Sequence, residues 1–387
     1  MTHKVLKTVL LLSLLVVCGI SNLEAQILPK TEEDSEGNEV QFSILPVLAY
    51  SSDTGLIGGI FFQRINYGDT SLPFLSRFRG DLTASLRGEF VSQIIYDHTK
   101  TFNTDIRSRM SLLLYKSKVS QYFGLGNNSE FSDDLYEDDY YYYRSKELNF
   151  LYRGRKTLAD YGFEGKFDVF ADLKISYQTA NESEGASQFS EDQNGLETDG
   201  WVNKIGIGII ADDRDSEFAP TSGYKYEAGY QISHSILGSK YNYSDVWLQF
   251  LNYVEVIPNI VVAQKIRGEY SMGNPPFWEL PSLGDSDTLR GFHLDRYRGD
   301  HSILHILEAR TWLFSILDGE IRFGGQLFWD SGRVFTDQDS NKLFDDWKHT
   351  VGFGGAISLF SPDFIVRGDI GFSDESMLIY AGVGYIF

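Results

Sequence analysis

The sequence predicts an all-β chain: a transmembrane antiparallel β-barrel of about sixteen strands, with a long sixth extracellular loop folded into its lumen. Three observations carry the prediction. Segment after segment alternates apolar with polar residues, the period of a strand that is greasy on one face and wet on the other. No apolar run is long enough to cross a bilayer as a helix, although 15% of the residues are aromatic and 37 are glycine. The long connections between segments all share one parity, while the short Pro258-Asn259 and 361–362 turns have the other.

Composition sets the surroundings. The 387 residues carry a formal charge of −20, which disfavours nucleic acid and anionic lipid surfaces as partners. The acid is bunched at Glu32 to Glu39, Glu130 to Asp139, Glu182 to Asp199 and Asp337 to Asp346, and such blocks read as solvated loops. A mean hydropathy of −0.23 suits strands whose greasy face is diluted by alternation. Lys4 and Lys7, the apolar stretch Val9 to Ile20, and Leu23-Glu24-Ala25 before Gln26 have the layout of a cleavable export signal over 1–25. The one cysteine, Cys18, lies inside that signal, so the exported chain is expected to hold no disulfide. A closed hydrogen-bonded sheet would supply the stability instead.

Residues 26–41 read as a short, flexible, acidic periplasmic lead-in, and 42–387 as the barrel. Strands are predicted at 42–51, 55–67, 77–87, 89–99, 104–116, 141–154, 164–178, 200–211, 223–234, 242–256, 260–271, 302–314, 319–330, 349–360, 363–372 and 376–387. The alternation is clearest where Asp168, Asp172 and Lys174 oppose Val169, Leu173 and Ile175, and where Arg367 and Asp369 oppose Val366 and Ile370. A charge at every second position is costly in hydrocarbon but tolerated on a wet lumen wall. With the N-terminus periplasmic, the connections near 117–140, 179–199, 272–301 and 331–348 are extracellular. The Pro258-Asn259 and 361–362 turns are then periplasmic. The run Tyr140 to Tyr143 is expected in an interfacial aromatic girdle. In the final strand Ala381, Val383, Tyr385 and Phe387 share a face.

Two short strings carry the site. Leu289-Arg290-Gly291-Phe292 lies in a long polar loop, and Phe328-Trp329-Asp330-Ser331-Gly332 closes a strand in which Phe328 and Asp330 share the polar face. Gly291 permits a tight tip, Phe292 packs beside it, and Arg290 offers a planar fork of donors that suits a carboxylate. Asp330 is the expected partner, with Glu308 beside Arg310 as a second. The pairing predicts that exchanging the Arg290 and Asp330 charges partly restores what Arg290→Ala loses. Asp212-Asp213-Arg214-Asp215 ahead of Pro220 and Gly223 is expected to cap a turn, with no acid–base role.

With these strings in this order, the chain resembles the barrel domain of the bacterial surface antigen superfamily. That superfamily holds the BamA-type insertases, the TamA-type assembly factors and the translocators of two-partner secretion. Leu289 to Phe292 matches its sixth-loop tip, and Phe328, Asp330 and Gly332 its strand-13 motif. Asp213, Arg214 and Asp215 with Pro220 and Gly223 match the turn before its ninth strand. Ile44-Leu45-Pro46 through Asp53-Thr54-Gly55 to Gly58-Gly59 matches its first hairpin. The resemblance covers about 42–387. It implies a bacterial outer-membrane protein surrounded by lipid, put in place by the barrel insertion machinery, with Tyr380, Gly382, Tyr385 and Phe387 forming the terminal assembly signal. It implies no cofactor and no metal, and leaves open other outer-membrane or periplasmic assembly subunits as partners. One departure is expected: residues 26–41 leave no room for a periplasmic POTRA module, so the chain reads as a stand-alone barrel.

The implied function is non-enzymatic assistance to outer-membrane biogenesis, by protein insertion, protein translocation or lipid movement. It would act through a weak seam between 42–51 and 376–387, where Gly382 and Gly384 lessen packing. Two alternatives stay open. A passive diffusion channel requires an unobstructed lumen. An outer-membrane enzyme requires a catalytic constellation, but the sequence has no G-x-S-x-G elbow, and His301 and His305 are expected at the membrane rim rather than on a metal.

Overall fold

Each alternating segment becomes a strand in the computed structural model, which describes residues 30–34, 37–68, 74–158, 166–336, 345–359 and 365–387. The export signal and the 361–362 turn lie outside the described residues. In chain order the strands are β1 (Lys30–Glu33), β2 (Glu39–Ser51), β3 (Gly55–Asn66), β4 (Ser76–Ser85), β5 (Phe90–His98), β6 (Ile106–Gln121), β7 (Tyr142–Thr157), β8 (Lys166–Glu182), β9 (Asp199–Asp212) and β10 (Gly223–Ser233). There follow β11 (Tyr243–Ile257), β12 (Ile260–Gly273), β13 (Ser282–Leu283), β14 (Tyr297–Arg298), β15 (His301–Ile316), β16 (Ile321–Phe335), β17 (Lys348–Leu359), β18 (Ile365–Phe372) and β19 (Met377–Val383). Seventeen of them form one sheet, while β13 and β14 form a separate two-stranded sheet within the loop between β12 and β15. Strand β1 is a short addition to β2, so the barrel itself has sixteen strands, each antiparallel to the next along the chain. Strand β19 comes back to lie against β2, as the last strand of a barrel does.

Burial is inverted relative to a soluble protein. On β9, Ile205, Ile207 and Ile209 are exposed, whereas Val202, Lys204, Gly206 and Ile210 on the alternate positions are buried. Leu327 and Trp329 on β16 likewise face outward, with Gln326, Phe328 and Asp330 inside. An outward apolar belt around a charged interior is what lipid outside and a wet lumen inside select.

The connections sort as their parity requires. The long ones, 122–141, 183–198, 274–300 and 336–347, share one end with the β2–β3, β10–β11 and β18–β19 connections. The opposite end has tighter turns. Asn259 takes φ +67° there, and its N–H donates to Glu255 Oε1 at 2.7 Å.

Three expectations change. The lead-in is not wholly flexible, because Lys30–Glu33 pairs with Glu39 to Phe42 of β2. The final strand stops at Val383, since Gly384 takes φ +84° and turns the chain off the ladder. Tyr141, Tyr142 and Tyr143 do not form a girdle but are buried at the long-loop end. Tyr143 packs with Tyr122, Phe189 and Phe277, and Tyr141 with Phe123 and Phe131, giving the long loops an aromatic core of their own.

Candidate functional site: the sixth loop in the lumen

Residues 274–300 fold into the barrel, and their tip is fully buried. Leu289, Arg290 and Phe292 are each 0% exposed. Gly291 adopts φ +110°, and a Cβ there would come within 2.9 Å of Phe372 backbone atoms. The same contact seen from β18 involves Gly371, whose Cβ would lie 2.5 Å from the Arg290 carbonyl carbon. Two glycines thus let loop and strand backbones touch. Gly332 does the same for side chains, because a Cβ there would meet Leu283 at 2.9 Å and Leu289 at 3.5 Å. Phe292 then joins Leu283, Leu289, Tyr297, Leu304, Ile306 and Val334 in an apolar cluster.

Arg290 is the centre of the polar network. Its Nε and Nη2 donate to Asp330 Oδ2 and Oδ1 at 2.8 and 2.7 Å, and its backbone N–H reaches Oδ2 at 3.2 Å. Nη1 donates to Glu308 Oε1 at 2.5 Å and lies 3.8 Å from Asp369. The guanidinium carbon sits 3.4 Å from the Phe328 ring centroid, which explains the aromatic in that strand motif. Arg310 donates to the other Glu308 oxygen at 2.8 Å, and Arg367 donates to Asp369 at 2.5 Å. Three guanidinium groups therefore face three carboxylates, all buried. Burial alone would lower the Arg290 pKa, but Asp330 and then Glu308 and Asp369 more than reverse this, so the group stays charged. Farther back in the loop, burial and then Asp287 push Asp285 up to about 6.

The last hairpin staples the tip. The Gly291 N–H donates to Tyr380 Oη at 3.0 Å, and that hydroxyl donates to the Phe292 carbonyl at 3.1 Å. Ser373 and Ser376 hydroxyls both donate to the Gly291 carbonyl, at 2.8 and 2.6 Å. Arg296 grips Glu375 at 2.7 and 2.8 Å. On the far side, His293 Nδ1 pairs with Asp53 Oδ1 at 2.6 Å, tying the loop to the first hairpin.

The other named residues fall elsewhere. Gly382 lies opposite Arg367 in the β18–β19 ladder. Tyr385 and Phe387 leave the Ala381–Val383 face and lie over the Arg310 guanidinium, at 4.2 and 4.8 Å from their ring centroids, because Gly384 has turned the chain. Asp213, Arg214, Asp215 and Pro220 lie in the turn between β9 and β10, at the end opposite the long loops. There Arg214 forks onto Asp212 at 2.8 Å twice, and Asp215 accepts from the Thr221 hydroxyl and the Thr221 and Ser222 N–H groups. Gly223 takes φ +96° under the Asp213 carbonyl. His301 stacks on Tyr270 at 3.8 Å, and His305 faces Trp329. Among the described residues no cluster of three metal-ligating side chains occurs.

Sequence reasoning missed Asp369, Gly371 and the two serines, and it gave Tyr380 a different role. Asp369 and Gly371 sit two apart on the polar face of one strand, which was the one available signal.

No curated protein sequence matches the chain. Among solved structures, BamA from Haemophilus ducreyi lacking POTRA domains 1–3 superposes with a TM-score of 0.57 at 12% identity, over 93% of this chain and 75% of that one. CdiB from Escherichia coli gives 0.57 at 11%, over 93% and 67%, and CdiB from Acinetobacter baumannii 0.54 at 13%, over 95% and 67%. The Omp85 superfamily domain matches residues 97–387, and the chain belongs to the Omp85 superfamily.

Proposed function

We propose that this barrel serves outer-membrane biogenesis without bond-making chemistry, moving protein or lipid at a weak junction between β2 and β19. The observation that carries the reading is a contrast in pairing. Other neighbouring barrel strands are joined by runs of paired residues, such as Val366↔Val383 to Phe372↔Met377. Among the described residues no such register joins β2 to β19; Ile379 N–H of β19 instead donates to the side-chain Oγ of Ser52, just past the end of β2, at 3.2 Å. At the other end of this junction β1 occupies the β2 edge, and Gly384 has taken the chain off the ladder. A strand edge without a partner is a template for an incoming strand. The tip of the sixth loop bears on the β18–β19 hairpin, so displacement of β19 would be felt at Arg290.

A cysteine pair tests this. Ser52→Cys with Ile379→Cys, oxidised to a disulfide, is expected to abolish function in complementation of a deletion strain, with recovery on reduction. Full function of the oxidised form would overturn the reading.

A further inference from the structure

Four arginines form a square on the lumenal face of the β6–β7 hairpin. Arg109 stands directly opposite Arg153 in the ladder, and Arg107 directly opposite Arg155. All four, with Lys225 from β10, line one cavity of ≈ 390 Å³, and among the described residues the carboxylates that line it are Asp97 and Asp172. Like charges directly opposite one another in an antiparallel pair destabilise it, so two such pairs side by side call for compensation.

Part of that compensation is internal. Arg107 forks onto Asp97 at 2.9 and 2.8 Å and reaches Glu217 at 2.7 Å. Arg153 forks onto Asp172 at 2.7 and 2.9 Å and reaches Glu227 at 2.8 Å. Arg155 is paired with Asp168, and Lys225 lies 3.4 Å from Glu227. Both lining carboxylates are thereby committed. Arg109 has no hydrogen bond or ion pair among the described residues. Its cross-strand neighbour on β5 is Asp97, which Arg107 already holds. Arg109 is also exposed, and the space it is exposed to is this cavity.

We propose that this cavity binds a phosphate-bearing anion, with Arg109 as the vacant donor and with Arg107, Arg153, Arg155 and Lys225, each already held by a carboxylate, lining the walls around it. Planar guanidinium forks suit phosphate oxygens, and among the four arginines the Arg109 fork is the one that no described carboxylate engages. The volume admits a headgroup or a small soluble phosphate, not a folded polypeptide. The cavity lies toward the short-turn end of the barrel, since Asp97 and Arg107 flank the 99–105 turn. A ligand would therefore enter from the side opposite the sixth loop.

The test uses full-length protein in nanodiscs of zwitterionic lipid, with inorganic pyrophosphate as probe and chloride at matched ionic strength as control. Pyrophosphate is expected to raise the melting temperature, and Arg109→Gln to raise its half-saturating concentration at least about tenfold, the loss of a charge-assisted hydrogen bond. Without anion, Arg109→Gln is expected to melt no lower than wild type, because it relieves like-charge repulsion; a merely structural arginine would give a lower value. A second arm replaces pyrophosphate by phosphatidylglycerol in the disc. Arg109-dependent stabilisation there, without a pyrophosphate effect, identifies a lipid headgroup as the source, and the converse a soluble phosphate. Equal responses of wild type and Arg109→Gln to both probes, or no response to either, would overturn the site.

Discussion

Arg290 is held by more carboxylate than its motif names, and this changes how it should be mutated. Removing one partner of a buried ion pair leaves the other charges without compensation, at a cost of about 3–5 kcal/mol. Arg290→Ala should lower stability by that amount, read as the shift in urea unfolding in lipid vesicles. Exchanging the two charges should not rescue it, contrary to the expectation from sequence. An Arg290→Asp side chain would face Glu308 and Asp369, both still buried and ionisable. The same vesicles settle the point, since a partial rescue would mean that Asp330 alone matters. Arg290 and Asp330 were legible in the sequence because each sits in a short, distinctive string. Asp369 and Gly371 were not, because no turn or motif fixes how β18 registers against a loop eighty residues earlier in the chain.

Among the elements, the barrel strands were the most legible, since alternation survives wherever one face meets lipid and the other water. Their ends were less so. A single glycine at 384 ended the last strand, and the burial of Tyr141 to Tyr143 depended on long loops whose packing leaves no periodic trace. The 213–222 turn offers a pH test. Burial alone would raise the Glu217 pKa, but Arg107 outweighs burial and holds it down at about 2, against an ordinary 4.5. A depressed folded-state pKa stabilises fully above the unfolded value and is lost as pH falls through the folded one. Wild type should therefore exceed Glu217→Gln in stability above pH 4.5 by at most about 3 kcal/mol, with the gap closing toward pH 2. A constant gap across that window would remove Glu217 from the account.

The whole molecule is a lipid-belted cylinder whose outer half is filled by its own loop. That architecture followed from alternation and connection parity, while the occupant of the lumen was legible only at the Arg290 tip. A filled lumen predicts small, flickering conductance in planar bilayers for wild type and larger, steadier steps for Arg290→Ala. Large steady steps from wild type would favour the diffusion channel. The central claim is that a buried guanidinium from the sixth loop is bound directly by the barrel wall, and a double-mutant cycle measures it most directly. Arg290→Met, Asp330→Asn and the double variant, unfolded in vesicles, should give a coupling energy of about 1–3 kcal/mol; additivity to within about 0.5 kcal/mol would contradict the account.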